Sequence, residues 1–202
     1  MTVSKNFLEA LCARRSYYSL ANESTIPDSR IVELVHAAAL NTPSCFNSQS
    51  TRLVVLLKQE HEKLWEIAKE TLKAMLPADV YVNTEQRLNG FQKAYGTILF
   101  FENPDTVKAL QEKLPTYADN FPRWSEHTSA MHQFFLWTAL EAEGLGANLQ
   151  HYSPIIDERV SAEWNVPANW SLKAQLVFGT PTGEPREKTY EPLKERVFVH
   201  GL

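Results

Sequence analysis

The chain has 202 residues, 44% hydrophobic and 22% charged, which supplies apolar material for one sizeable core and predicts a single domain over 1–202. A net charge of −4 gives no global field for nucleic acid or anionic lipid, so any anion site has to be a local cluster of cations. Two cysteines, Cys12 and Cys45, are too few for a disulfide framework or a zinc site. Lys5 and Glu9 interrupt the N-terminus and no uncharged run approaches a membrane span, so a cytoplasmic protein is expected.

In chain order, Phe7, Leu8, Leu11 and Cys12 fall at helical offsets and predict a short amphipathic helix from Asn6 to Arg15. It delivers Arg14-Arg15-Ser16, two forked guanidiniums and a hydroxyl that suit phosphate oxygens, although a solvated basic pair at a helix end reads the same way. Pro27 opens a second helix, Asp28 to Leu40, with Ile31, Val32, Leu34, Val35 and Ala38 inward. The segment Asn41 to Arg52 is dense in Ser, Asn and Gln and runs into a strand at Leu53 to Leu57. Such a loop either presents donors and acceptors to a ligand or simply connects a helix to a strand. Cys45 has no His or acid nearby in sequence and reads as a packed thiol.

Gln59 to Leu76 is predicted as a long helix burying Leu64, Trp65, Ile67, Ala68, Leu72 and Met75. Pro77 to Val82 reads as a loop, and Glu85 to Lys93 as another helix, a polar cover rich in Asn and Gln. Thr97 to Phe101 is a continuous apolar run, the mark of a strand buried on both faces, and Asn103-Pro104 starts a helix through Leu114. The central helix follows after Trp124. Its Ala130, Met131, Phe134, Phe135, Trp137, Leu140 and Ala142 spread over more than one stripe, so it requires cover on two sides.

Gly144 ends that helix, and the backbone between Gly144 and Gly146 is expected to turn tightly and expose N–H groups before a strand at Ala147 to His151. Ser153-Pro154 starts a helix to Trp164, and Ala174 to Phe178 is a strand. Gly179 to Pro185 lacks the ending of a phosphate loop, and Gly144-Leu145-Gly146 lacks the third glycine of a dinucleotide fingerprint. His127 and His132 are five apart, off a common helix face, which argues against a metal pair. The pattern of helices with a few strands predicts an α+β fold.

Four separated pieces line up with one family. Arg14-Arg15-Ser16, Pro43-Ser44-x-x-Asn47-x-Gln49, Glu143-Gly144-Leu145-Gly146 and Lys194-x-Arg196 resemble, in that order, the FMN-dependent nitroreductases. RRSYY, PSCFNSQS and NLQHYSP are similar to the short fatty-acid-repression and oxidative-stress nitroreductase-like subgroup. The resemblance implies a nitroreductase-like fold, with a central mixed or antiparallel sheet of about four to five strands flanked by helices, in an intertwined homodimer.

It implies FMN as cofactor, with Arg14, Arg15, Ser16, Lys194 and Arg196 on the phosphate and ribityl chain. Ser44, Asn47 and Gln49 would reach the flavin of the other subunit, and the backbone at Leu145 and Gly146 would face the ring. Arg52 is the candidate for positive charge near the ring, His151 and Tyr152 are candidates for the acceptor pocket, and Val197 to Val199 for a strand in the partner's sheet. The implied activity is NADH- or NADPH-driven two-electron reduction of nitroaromatic, quinone or related acceptors, with no protein acid or base required. Ser50-Thr51 stands where larger relatives carry Pro-Trp, and the chain is short, so the roof over the site is expected to be reduced. A non-catalytic flavin-binding or lipid-responsive regulator is the alternative.

Overall fold

A computed structural model describes residues 6–201, so Lys5 lies outside the described residues. The fold is built on the apolar run expected at Thr97–Phe101, which forms strand β3, Gly96–Glu102, with every residue buried. Alternate side chains go to opposite faces: Ile98 and Phe100 enter one core, Leu99 and Phe101 the other. Each such fully buried aromatic or aliphatic side chain is worth about 1.5–3 kcal/mol.

Strand β2, Thr51–Leu57, pairs antiparallel with β3, from Thr51 opposite Glu102 to Leu57 opposite Gly96. On the other edge of β3 lies β5, Ser171–Pro181, also antiparallel, with a register shift at Phe100/Phe101. Strand β4, Gly146–Gln150, pairs with β5 in turn, and the two-residue β1, Leu20–Ala21, pairs with Pro181 and Thr180. The sheet is thus five-stranded and antiparallel, as expected for an α+β fold of this kind.

Three helices close one face: α3 (Gln59–Met75), α4 (Ala78–Gln92) and α7 (Asp157–Glu163), which bring Leu64, Trp65, Leu72, Leu88, Phe91 and Val160 to the sheet. The opposite face takes α2 (Asp28–Asn41) and α6 (Phe121–Ala142), through Ile31, Leu34, Val35, Ala38, Leu136 and Leu140. The short α1 (Phe7–Ala13) contacts α6, and α5 (Pro104–Lys113), started by Asn103 accepting from Asp105 N–H, packs at the start of α6. Among the described residues no helix is long and apolar enough to cross a membrane.

Several expectations need correction. The segment read as a loop and a separate helix between Pro77 and Lys93 is one helix, because Tyr81, Leu88 and Phe91 share a buried stripe and Pro77 sits just ahead of it, where no N–H is required. Helix α7 begins at Asp157, three residues after Pro154. Val32 and Met75 are exposed, and Val197 to Val199 is exposed and forms no strand here. The apolar side of α1 is also open, with Phe7, Leu8 and Cys12 exposed and only Ala10 buried. The central helix behaves as its composition requires: Leu136 and Leu140 are fully buried while Met131, Phe134 and Phe135 stay uncovered by this chain.

Candidate functional site

Asn6 and Glu9 form a reciprocal cap that starts α1, and the helix stops at Ala13, after which the chain straightens into an arm. Ser16 forms a parallel bridge with Ala147, and Tyr17 N–H donates to the Ala147 carbonyl at 3.0 Å. The buried Asn148 returns the contact, its amide donating to the Tyr17 carbonyl at 2.8 Å, and Gln150 donates to the Asn148 side chain at 2.8 Å. The arm therefore runs beside β4 as an added partner. Gly146 makes this approach possible, since a Cβ there would lie 2.8 Å from Pro181 Cγ and 3.0 Å from Tyr17 Cβ.

The three candidate arginines near this arm and the polar loop differ in what they touch. Arg15 donates through Nη2 to the carbonyl of Arg186, which ties the arm to the start of the C-terminal tail. Arg52 donates through Nη1 to the carbonyls of Gln49 and Thr51, at 2.6 and 3.0 Å, and lies over the Trp170 ring. Arg14 is half-buried against the face of Trp137, and among the described residues nothing accepts a hydrogen bond from its guanidinium. Burial pulls its pKa below the usual arginine value, with Arg15 adding to the fall and Glu141 opposing it. It is a partly desolvated cation with its donors unspent, an arrangement that favours an incoming anion.

The polar loop leaves α2 at Thr42 and is held by Ser44, whose hydroxyl accepts from Gln49 N–H at 3.0 Å. Phe46, Asn47 and Gln49 all have positive φ, between 48° and 54°, at a cost of order 1 kcal/mol each. Phe46 is backed by Tyr117, Phe121 and Trp124, with ring centroids 5.7–6.3 Å away. The loop adjoins an apolar groove of about 360 Å³, lined by Phe7, Pro43, Met131, Phe134, Phe135 and Ala139 among others. It thus stands at the face this chain leaves open.

A polar cleft of about 470 Å³ lies where the arm, α4 and β4 meet, lined by Tyr18, Gln86, Arg87, Leu149, Gln150 and Arg186 among others. Arg186 stacks over Tyr18, 5.4 Å from the ring centre. Tyr152 is half-buried, edge-on to Trp65 and Phe91, and its N–H donates to Gln175 at 2.8 Å. Burial raises its hydroxyl pKa, and the positive charge of Arg87 opposes the rise.

A model of the nitroreductase family matches residues 11–180. The chain belongs to the nitroreductase family. It is similar to nitroreductase FRM2 of Saccharomyces cerevisiae, 35% identical over 192 residues that cover 94% of this chain and 95% of the yeast protein. Its fold matches nitroreductase CinD from Lactococcus lactis in complex with 4-nitrophenol, at 43% identity and TM-score 0.88, covering 97% of this chain and 100% of that one. CinD is also known in complex with chloramphenicol and with nicotinic acid. A nitroreductase-fold protein of Desulfovibrio desulfuricans in complex with FMN shares the fold at 19% identity and TM-score 0.68, covering 99% of both chains.

Of the residues named from sequence in this family member, the structure brings Ser16, Ala147 and Gly146 together directly and sets Arg14 and Arg15 at the start of the same arm. Gly144 and Leu145 do not expose their N–H groups as expected. Gly144, at φ 83°, donates to Glu141 and Leu145 donates to Leu140, so both are spent closing the end of α6. Leu145 is a core residue. Arg52, the candidate for positive charge near the ring, gives one terminal nitrogen to the Gln49 and Thr51 carbonyls, and Lys194 and Arg196 sit on the exposed tail. His151 is exposed.

Sequence reading missed Tyr18, Arg87, Trp137 and Asn148. For Arg87 a signal existed, because Leu88 and Phe91 mark the buried stripe of α4 and leave Gln86, Arg87 and Gly90 on its flank.

Proposed function

We propose that this chain is an FMN-dependent oxidoreductase, working as a homodimer, that carries two electrons from NADH or NADPH to nitroaromatic, quinone or related acceptors. The observation that carries this reading is the unspent guanidinium of Arg14 at the start of an arm zipped to β4 beside a polar cleft. The donor set fits the cofactor: Arg14, Arg15 and Ser16 on the arm for a phosphate and, in the adjoining cleft of ordinary ligand size, Gln150 and Gln86 for a ribityl chain and Leu149 with Tyr18 for a flat ring. The complexes of CinD with 4-nitrophenol and nicotinic acid, and the FMN complex of the more distant relative, point the same way.

Bound FMN would supply the redox chemistry, taking a hydride equivalent from the nicotinamide and returning two electrons to the acceptor. The chain's task is binding and orientation. Arg14, Arg15 and Ser16, joined by Lys194 and Arg196 from the tail, would hold the phosphate. Ser44, Asn47 and Gln49 would reach a ligand held by a second copy, a role supported by Pro43 at the start of their loop lining the open groove. Arg87 and Arg186 are the cations that line the cleft, and Arg87, with Arg52, would stabilise negative charge on the ring.

Stopped-flow reduction tests the reading. Protein loaded with FMN should bleach rapidly on mixing with NADH or NADPH and recover its colour with 4-nitrophenol or a quinone. Negligible bleaching at saturating donor would leave a flavin-binding regulator, and a chain that takes up no FMN would remove both.

A further inference from the structure

We propose that Trp137 is the positioning residue that aims Arg14 at the phosphate of the bound ligand. The proposal deepens the flavin reading above and rests on it for the identity of that ligand.

The Arg14 guanidinium carbon lies over the Trp137 ring, 4.6 Å from its centre, well inside cation–π range and close enough for the planar group to lie flat on it. Stacking occupies the face of a planar guanidinium and leaves its N–H donors in the plane, where they can engage a phosphate as a fork. Nothing else in the described chain competes for those donors. Arg15 and Arg52 show the contrast, since each gives a terminal nitrogen to backbone carbonyls. Glu141, one turn further along α6, acts on Arg14 through its charge and helps to hold the cation at that end of the arm.

Trp137 is itself fixed by packing. It lies on α6 between the core residues Leu136 and Leu140 and packs against the core they belong to. Its indole N–H is buried and finds no hydrogen-bond partner, so the ring orientation comes from its apolar neighbours. The line of support runs from the core through Trp137 to Arg14. A lysine in place of Arg14 would keep the charge and lose the flat contact.

The test compares FMN with riboflavin, which differ only in the phosphate. Trp137→Leu should weaken FMN binding to the apo-protein about tenfold, within the range of a partly desolvated cation–π contact, and leave riboflavin binding unchanged. Trp137→Phe should keep most of the FMN affinity, and Arg14→Lys should behave like Trp137→Leu. A second measurement needs no flavin: inorganic phosphate should raise the Tm of the wild-type apo-protein and of Trp137→Phe, and this gain should vanish in Trp137→Leu. Equal losses for FMN and riboflavin in Trp137→Leu, or no loss for either, would overturn the positioning role while leaving the flavin reading intact. Wild type that gains Tm from phosphate through Trp137 yet binds neither flavin would overturn the flavin reading and keep the Trp137–Arg14 pairing as an anion site.

Discussion

The two faces of the sheet are finished to different degrees. On the face covered by α3, α4 and α7, the polar groups buried beneath α3 are paired: Thr97 accepts from the Trp65 indole at 3.1 Å and pairs with His61 Nδ1 at 2.8 Å, while His61 Nε2 meets the Phe91 carbonyl at 3.1 Å. The geometry assigns one consistent set, with Thr97 donating to Nδ1 and Nε2–H donating to Phe91. On the face covered by α2 and α6, the core is dry under the helices, but Phe7, Met131, Phe134 and Phe135 remain exposed. Buried oxygens of Thr42 and Thr138 and the indole nitrogen of Trp137 lack partners there. One layer is covered by its own helices, whereas the other carries an open apolar groove, the kind of surface on which a second copy would pack.

That contrast sets the size of the expected effects. Trp65→Ala, in the finished layer, empties a fully buried site and removes a donor to Thr97, and should cost about 3–5 kcal/mol in urea unfolding. A loss below about 1 kcal/mol would show that this face is less tightly built than its packing implies.

The same layer should respond to acid. Burial lowers the His61 pKa from 6.5 to about 4, so the folded chain keeps the ring neutral at pH values where the unfolded chain binds a proton. Stability from this group is whole above about pH 6.5 and is lost as pH falls towards 4, by up to roughly 3 kcal/mol. His61→Gln should flatten the urea-midpoint profile between those limits, and an unchanged slope would show that other groups set it.

In the unfinished layer a charge should do something different. Phe135→Glu places a carboxylate on a residue already exposed in the single chain, so the fold of each copy should be spared. Sedimentation should then show a dimer for wild type and monomers for the variant. A dimeric variant would mean that the open groove is not the contact between copies.

The sheet and its covering helices were largely legible because burial leaves a periodic trace. The uninterrupted Thr97–Phe101 run and the Asn103-Pro104 start mark their elements without ambiguity, and the extra apolar residues of α6 signalled a face that this chain leaves uncovered. The order of the four motifs was enough to indicate the family, which the match over residues 11–180 bears out. What sequence could not convey was how each polar group is used. Nothing in the residue types separates Arg14, stacked and unspent, from Arg52, whose donors serve the backbone of its own loop. The Gly144–Gly146 segment misled for a related reason, since a helix stop and a ligand-facing turn use the same residues and differ only in where the N–H groups go. Likewise, Phe7 and Leu8 formed a clear stripe, but periodicity marks an apolar face without showing whether the chain itself covers it, and both are exposed.

The most direct test is to titrate the purified apo-protein with FMN while following both the flavin spectrum and the sedimentation of the coloured species. The account predicts saturation at equimolar FMN and protomer, with all the bound flavin on a dimer. A chain that stays colourless, or flavin that travels with a monomer, would contradict it.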